Sequence, residues 1–306
     1  MNKRLITILL SVSLAGCAGS GTRSLPVPSE DPEETPSVQP SNHTESAIRG
    51  SLQDYREDYN ALAEFAEKPA VSAGRTAAAE SSEVIIGEDN RVPVYDVSAY
   101  PYSAIGYMLV HASCGCEWTG SGYMAGPSGF VTAAHCLCCA DHQAYADTLT
   151  IYFGFQSWDR YLCCFNGTST FWVGTTFPGG YTDENAEWDY AYVKLSERVG
   201  DVTGWLGTVY MTDEELDGAE VELAGYRDGV LMYDRGRVFV DGEHLFVYEM
   251  DMLPGNSGCP LFFYYGDYED HAAAVNIAEN SMYLKNYGRR ITGDVFQAME
   301  EAGIFR

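Results

Sequence analysis

From about residue 84 to residue 306 the chain is predicted to fold as an all-β unit, and three observations predict it. Leu149, Ile151, Phe153 and Phe155 alternate with Thr150, Tyr152 and Gly154, the period-two pattern of a strand with one buried face. Short apolar runs recur at 105–110, 190–195, 221–225, 245–250, 261–265 and 272–277 between glycine-rich turns, as in barrels and sandwiches. The clear helical periodicity in this region is confined to 294–302, where Val295, Phe296, Met299 and Ala302 share one side and predict a short C-terminal helix. Roughly 220 residues of this kind can form one folded unit.

The elements before residue 84 are of a different kind. Lys3 and Arg4 precede an apolar run from Leu5 to Leu10 that continues to Leu14, and Leu14-Ala15-Gly16-Cys17 follows. A charged start, a short apolar core and small residues before a cut make residues 1–16 a secretory segment, too short to span a bilayer as a mature helix. The cysteine directly after Leu-Ala-Gly resembles the bacterial lipoprotein signal, which implies a lipid anchor on Cys17. Residues 17–47 are rich in Pro, Ser and acidic residues and cannot bury enough apolar surface to offset their ordering entropy, so they are expected to be a disordered tether. Ile48, Leu52, Tyr55, Tyr59, Leu62 and Phe65 then form one helical stripe. Residues 48–83 are read as a helical pro-segment and linker, with an exposed spacer as the alternative. The small residues at 70–82 make an accessible place for a cleavage that releases the unit beginning at Val84.

Within residues 84–306 three stretches carry chemistry: Thr132-Ala133-Ala134-His135-Cys136, Trp188-Asp189-Tyr190-Ala191, and Pro254-Gly255-Asn256-Ser257-Gly258-Cys259-Pro260. Taken singly, His135 is explained as a core histidine, Asp189 as a turn cap and Ser257 as a loop serine. Together they supply a nucleophile, an imidazole to take its proton and a carboxylate to hold the imidazole's tautomer. The glycines flanking Ser257 let the backbone turn and aim amides at a substrate carbonyl.

At these stretches the chain resembles the trypsin-like serine peptidases, in particular the bacterial glutamyl endopeptidase branch. Val84-Ile85-Ile86-Gly87-Glu88-Asp89-Asn90-Arg91 and the closing Gly288-Arg289-Arg290-Ile291-Thr292 also match. The resemblance implies two antiparallel β-barrels with the site between them, His135 as general base, Asp189 as its orienting carboxylate and Ser257 as nucleophile. It further implies the Gly255 and Ser257 amides as the oxyanion hole. Three departures matter. Asn256, where trypsin has Asp, removes an activation switch built on an ion pair with the new amino terminus. Asn276-Ile277-Ala278 stands where the branch reads Gly-Ile-His, so at Ala278 the imidazole that would partner a substrate glutamate is missing. Asp251 lies at the spacing where trypsin places the acid that recognises Arg and Lys, beside the bulky Met252. Preference for a basic, an apolar or an acidic residue before the cut therefore stays open.

Eight cysteines remain when Cys17 is set aside from the nine in the chain, an even number that reads as disulfides in an exported protein. The resemblance implies a bridge from Cys136 to Cys114 or Cys116, after which Cys138-Cys139 and Cys163-Cys164 can bridge each other. Zinc is the alternative, since Cys114-Gly-Cys116 and Cys136-Leu-Cys-Cys139 cluster densely, but the spacing is tighter than in common zinc knuckles. No metal or cofactor is expected.

The formal net charge of −26 repels nucleic acid and anionic lipid head groups, so neither is expected as a partner. The sequence is thus read as an exported, monomeric envelope lipoprotein facing outside the cytoplasm, a serine endopeptidase acting on protein or peptide. A catalytically silent binding domain on the same fold is the rival reading.

Overall fold

The computed structural model describes residues 6–10, 85–86, 88–167, 169–174, 185–280 and 285–306. Ile6–Leu10, within the segment expected to direct export, forms a strand antiparallel to Ser169–Val173. Residues 11–84, and with them Cys17, the tether and the helical pro-segment, lie outside the described residues.

The first half of the unit is a curled antiparallel sheet. Ile105–Ala112 lies between Glu117–Met124 and Ala144–Phe153, and Gly129–Thr132 lies between Glu117–Met124 and Ala191–Leu195. Cys163–Asn166 pairs with Ala144–Phe153, whereas Ser169–Val173 pairs with Ala191–Leu195. These two short strands carry the chain from one side of the curl to the other, so the expected first barrel is a half-barrel without a continuous closing ladder. The predicted alternation holds, because Leu149, Ile151 and Phe153 are all buried.

The second half closes fully. Glu220–Arg227, Val230–Asp241, Leu245–Tyr248, Lys285–Arg290, His271–Asn280 and Pro260–Phe262 follow one another around a ring, and Pro260–Phe262 pairs back onto Glu220–Arg227. A closed ring leaves no edge strand among these six. Val230–Asp241 and Lys285–Arg290 escaped the sequence pattern because charged residues and glycines interrupt their apolar alternation.

The two halves share an aromatic seam. The Tyr107 ring lies 5.4 Å from that of Tyr226 and 5.2 Å from that of Phe155, and the Phe155 amide donates to the Tyr226 hydroxyl at 3.1 Å. The predicted C-terminal helix, Gly293–Glu301, buries Val295 and Met299. Its end is tied to the first half by Lys194, whose Nζ donates to the carbonyls of Gly303 and Arg306. No helix among the described residues is long and apolar enough to cross a membrane.

Candidate active site

His135 sits on the single turn Ala134–Leu137, directly after the strand Gly129–Thr132. Asp189 follows another short turn, Ala186–Trp188, and precedes Ala191–Leu195, the strand that pairs with Gly129–Thr132. The register Ala191↔Thr132 therefore brings the two side chains together from sequence-distant loops. The Asp189 carboxylate is fully buried and grips His135 twice. One oxygen accepts the His135 backbone amide at 2.9 Å, and the other lies 2.7 Å from Nδ1 of the ring. Burial opposes charge on this imidazole, but the Asp189 carboxylate, with Cys136, outweighs it and holds the His135 pKa well above the ordinary value.

Ser257 approaches from the second half. Its loop adopts a conformation that only glycines tolerate: φ is +105° at Gly255 and +81° at Gly258. A Cβ on Gly258 would lie 2.1 Å from Thr132 Oγ1 and 2.9 Å from the Ala133 nitrogen, so this loop rests directly on the chain entering His135. The expected result for Gly258→Ala is a loss of roughly 2–4 kcal/mol of stability, from backbone strain plus overpacking. Urea unfolding of the variant measures it, and an unchanged midpoint would show that the loop can move away.

Inside the loop, Asn256 acts as a brace. It is buried, its side-chain oxygen accepts the Leu253 amide at 3.0 Å, and its Nδ2 donates to the Tyr226 carbonyl at 3.4 Å. The backbone amides of Asn256 and Gly258 point inward to the carbonyls of Leu253 and Asn276. Where trypsin-like chains with Asp at this position use an ion pair, this chain uses a neutral amide satisfied within the barrel.

Two further buried residues tie these loops in place, and only the second had a hint in the sequence. Ser121 is buried between the halves: its hydroxyl accepts the Tyr226 amide and donates to the Gly255 carbonyl, both at 2.8 Å, while its own amide donates to the Ser257 carbonyl at 2.8 Å. One small side chain thus pins the serine loop to the first half. Arg289 is also buried, with its guanidinium 5.0 Å from the Tyr190 ring centre and donating to the Glu187 carbonyl, which supports the turn that ends at Asp189. The closing Gly288-Arg289-Arg290 stretch was the available hint.

The three residues expected to shape specificity are placed differently from one another. Asp251 is fully buried, and its two oxygens accept the backbone amides of Ile86 and Asn90, each at 2.7 Å. Its carboxylate thus holds the backbone of residues 86–90. The next residues, Val92–Pro93, continue as a strand on Val230–Asp241. Met252 is fully buried, with its sulfur 3.4 Å from the Tyr248 hydroxyl. Ala278 is buried opposite Tyr287 on the neighbouring strand.

The cysteines also depart from expectation. Among the described residues, Cys114, Cys116, Cys136, Cys139 and Cys163 are in no disulfide. Cys136 faces Gly120, where a Cβ would lie 3.2 Å from its sulfur, so the strand before it carries no thiol at the facing position. Cys114 and Cys116 instead converge on Cys139 and His142. Cys259 is buried beside Gly225.

No protein-family model matches the chain. It is 30% identical over 225 residues to a glutamyl endopeptidase of Bacillus licheniformis, covering 71% of this chain and 68% of that protein. It is 26% identical over 226 residues to an extracellular metalloprotease of Bacillus subtilis, with the same coverage, 71% and 68%. The solved structure of a Glu endopeptidase in complex with MPD superposes with a TM-score of 0.58 at 21% identity, over 72% of this chain and 99% of that one. The protease Anisep from Arthrobacter nicotinovorans superposes with a TM-score of 0.52 at 20% identity, over 67% and 97%. The folds agree in the two-barrel arrangement. The chain belongs to the glutamyl endopeptidase family of chymotrypsin-fold serine peptidases, and it is a serine endopeptidase.

Proposed function

We propose that this peptidase is exported, anchored by lipid on Cys17, and cleaves peptide bonds through an acyl-enzyme on Ser257. Export and the anchor rest on the charged start, apolar run and Leu14-Ala15-Gly16-Cys17 of the sequence; the catalytic part is carried by the buried Asp189 carboxylate 2.7 Å from His135 Nδ1, with the Ser257 loop packed on the chain entering His135. Nδ1 is engaged by Asp189, so the mechanism assigns the Ser257 proton to Nε2, which lies 3.7 Å from Cys136 Sγ. Ser257 Oγ adds to the substrate carbonyl, and the amides of Gly255 and Ser257 receive the oxyanion. His135 then returns its proton to the leaving amine as the C–N bond breaks, and water attacks the ester in the second half of the cycle. No resident metal or cofactor takes part in these steps.

Cleavage near Val84 would leave Ile86 close to the new amino terminus, seated on Asp251. With that carboxylate engaged and no imidazole at Ala278, an uncharged residue before the cut is the preference we infer.

The test is labelling of the chain with a fluorophosphonate, which phosphonylates an activated serine and releases fluoride, followed by peptide mapping. The adduct is expected on Ser257 and is expected to disappear in His135→Ala. An unlabelled Ser257 in folded protein, or an adduct on another serine, would sink the mechanism. Cleavage of a peptide library, read by mass spectrometry, tests the pocket: cuts mainly after Glu or after Arg and Lys would exclude the uncharged preference.

A further inference from the structure

We propose that Cys114, Cys116, Cys139 and His142 form a structural binding site for one zinc-type divalent cation, beside the loop that carries His135. The four donor atoms all lie within 4.8 Å of one another, and His142 Nδ1 is 3.4 Å from the sulfurs of both Cys116 and Cys139. Zinc bonds of about 2.3 Å to sulfur and about 2.0–2.1 Å to nitrogen, at tetrahedral angles, need S···N separations of about 3.5 Å. The observed nitrogen-to-sulfur distances match that requirement. Soft thiolates with one imidazole select zinc-type ions over magnesium or calcium, which prefer oxygen donors.

The number of thiols separates this site from a disulfide. Three sulfurs converge, so pairing any two would leave the third and the imidazole without a shared partner. A four-coordinate cation uses all four groups at once and leaves no open position for water, which marks the site as structural. On binding, the three thiols release their protons to solvent and the imidazole binds as the neutral base. The three thiolates then overbalance the divalent ion by one negative charge.

The placement suggests what the ion would hold. Cys114 and Cys116 lie in the turn that joins Ile105–Ala112 to Glu117–Met124, where the Ala112 amide donates to the Cys116 carbonyl at 3.0 Å. Cys139 ends the short strand Cys138–Cys139, directly after the turn that bears His135, and His142 follows in the next turn. One ion would therefore clamp the hairpin tip to the chain leaving His135. That role is independent of which bond the enzyme cuts.

The experiment is elemental analysis of the full chain purified in metal-free buffer without a metal-affinity step, alongside Cys116→Ser, His142→Ala and, outside the cluster, Cys163→Ser. About one zinc per chain is expected in the parent and in Cys163→Ser, with loss in the two cluster variants. Cobalt exchange in the unmutated chain provides a measurement that no folding defect can confuse: intense visible bands and thiolate-to-cobalt charge transfer are expected. Removal of the ion by a strong chelator is expected to lower the melting temperature, with recovery on adding one equivalent of zinc. A reduced parent chain that takes up neither zinc nor cobalt would overturn the proposal. So would a native Cys114, Cys116 or Cys139 found in a disulfide.

Discussion

Replacing Ser257 by alanine is expected to lower kcat by about six orders of magnitude, and replacing His135 by alanine to do nearly the same. The double variant should be little worse than either single one, because in the proposed mechanism the two groups act as a unit and neither transfers a proton without the other. Asp189→Asn should cost less, about 10⁴-fold, because the ring is still present but is held in the wrong tautomer. Asp189 should also leave a signature in pH. In the proposed mechanism His135 must be neutral to accept the serine proton; burial lowers its pKa, and the buried Asp189 carboxylate is the main influence raising it. Activity is therefore expected to fall on acidification at a pH above the ordinary imidazole value of about 6.5, and in Asp189→Asn the acid limb should move to lower pH. Stability follows the opposite branch of the same equilibrium. A folded pKa above the unfolded one contributes stability in full below about pH 6.5, and that contribution is lost as pH rises through the folded value. Profiles of kcat/KM for parent and Asp189→Asn decide the matter. Coincident acid limbs would mean that another group sets the ionisation.

The second large effect is expected at Asp251. Alanine there removes two hydrogen bonds from a charged acceptor and leaves the Ile86 and Asn90 amides without it. Each such bond contributes about 1.5–3 kcal/mol, so a loss of roughly 3–5 kcal/mol is expected. Part of this is offset at Asp234, whose carboxyl is pushed up by burial and, to a smaller extent, by the nearby Asp251 charge. Burial, the larger influence on Asp234, is untouched. Asp234 also keeps its own bond to the residue 251 amide, a backbone contact at 2.8 Å that alanine retains. Against a total stability of about 5–15 kcal/mol the expected loss is a large fraction. The variant should unfold at lower urea, and limited proteolysis should cut first around residues 85–94. If Asp251→Ala kept its stability but lost a preference for Arg or Lys before the cut, the carboxylate would belong to the pocket after all.

Much of the architecture could be read directly from the chain. The period-two alternation of Leu149, Ile151 and Phe153 describes a strand with one buried face, and all three side chains are indeed buried. The helical spacing near the C-terminus places Val295 and Met299 on the packed side of Gly293–Glu301. The three motif stretches supplied the residues of the candidate site, since a Gly-Asn-Ser-Gly turn depends on backbone conformations that the glycines permit locally. Such features are legible because they arise from interactions among neighbours in the chain.

What remained for the tertiary structure to decide is the choice of partner. A carboxylate at position 251 has the same chemistry whether it meets a substrate guanidinium or two backbone amides, and the amides that claim it lie 165 and 161 residues away in the chain. Cys136 was matched to Cys114 or Cys116 by resemblance, but folding put Gly120 opposite Cys136 and gathered the other two thiols around Cys139 and His142. Ser121 looks like any strand serine until the second barrel brings Gly255 and Tyr226 to its hydroxyl. The order of residues along the chain specifies which groups are chemically able to act and which local conformations carry them. Only the folded chain decided which of those groups meet, because hydrogen bonds and metal-type contacts act over a few ångströms, and closure of long loops, not adjacency in sequence, sets those distances.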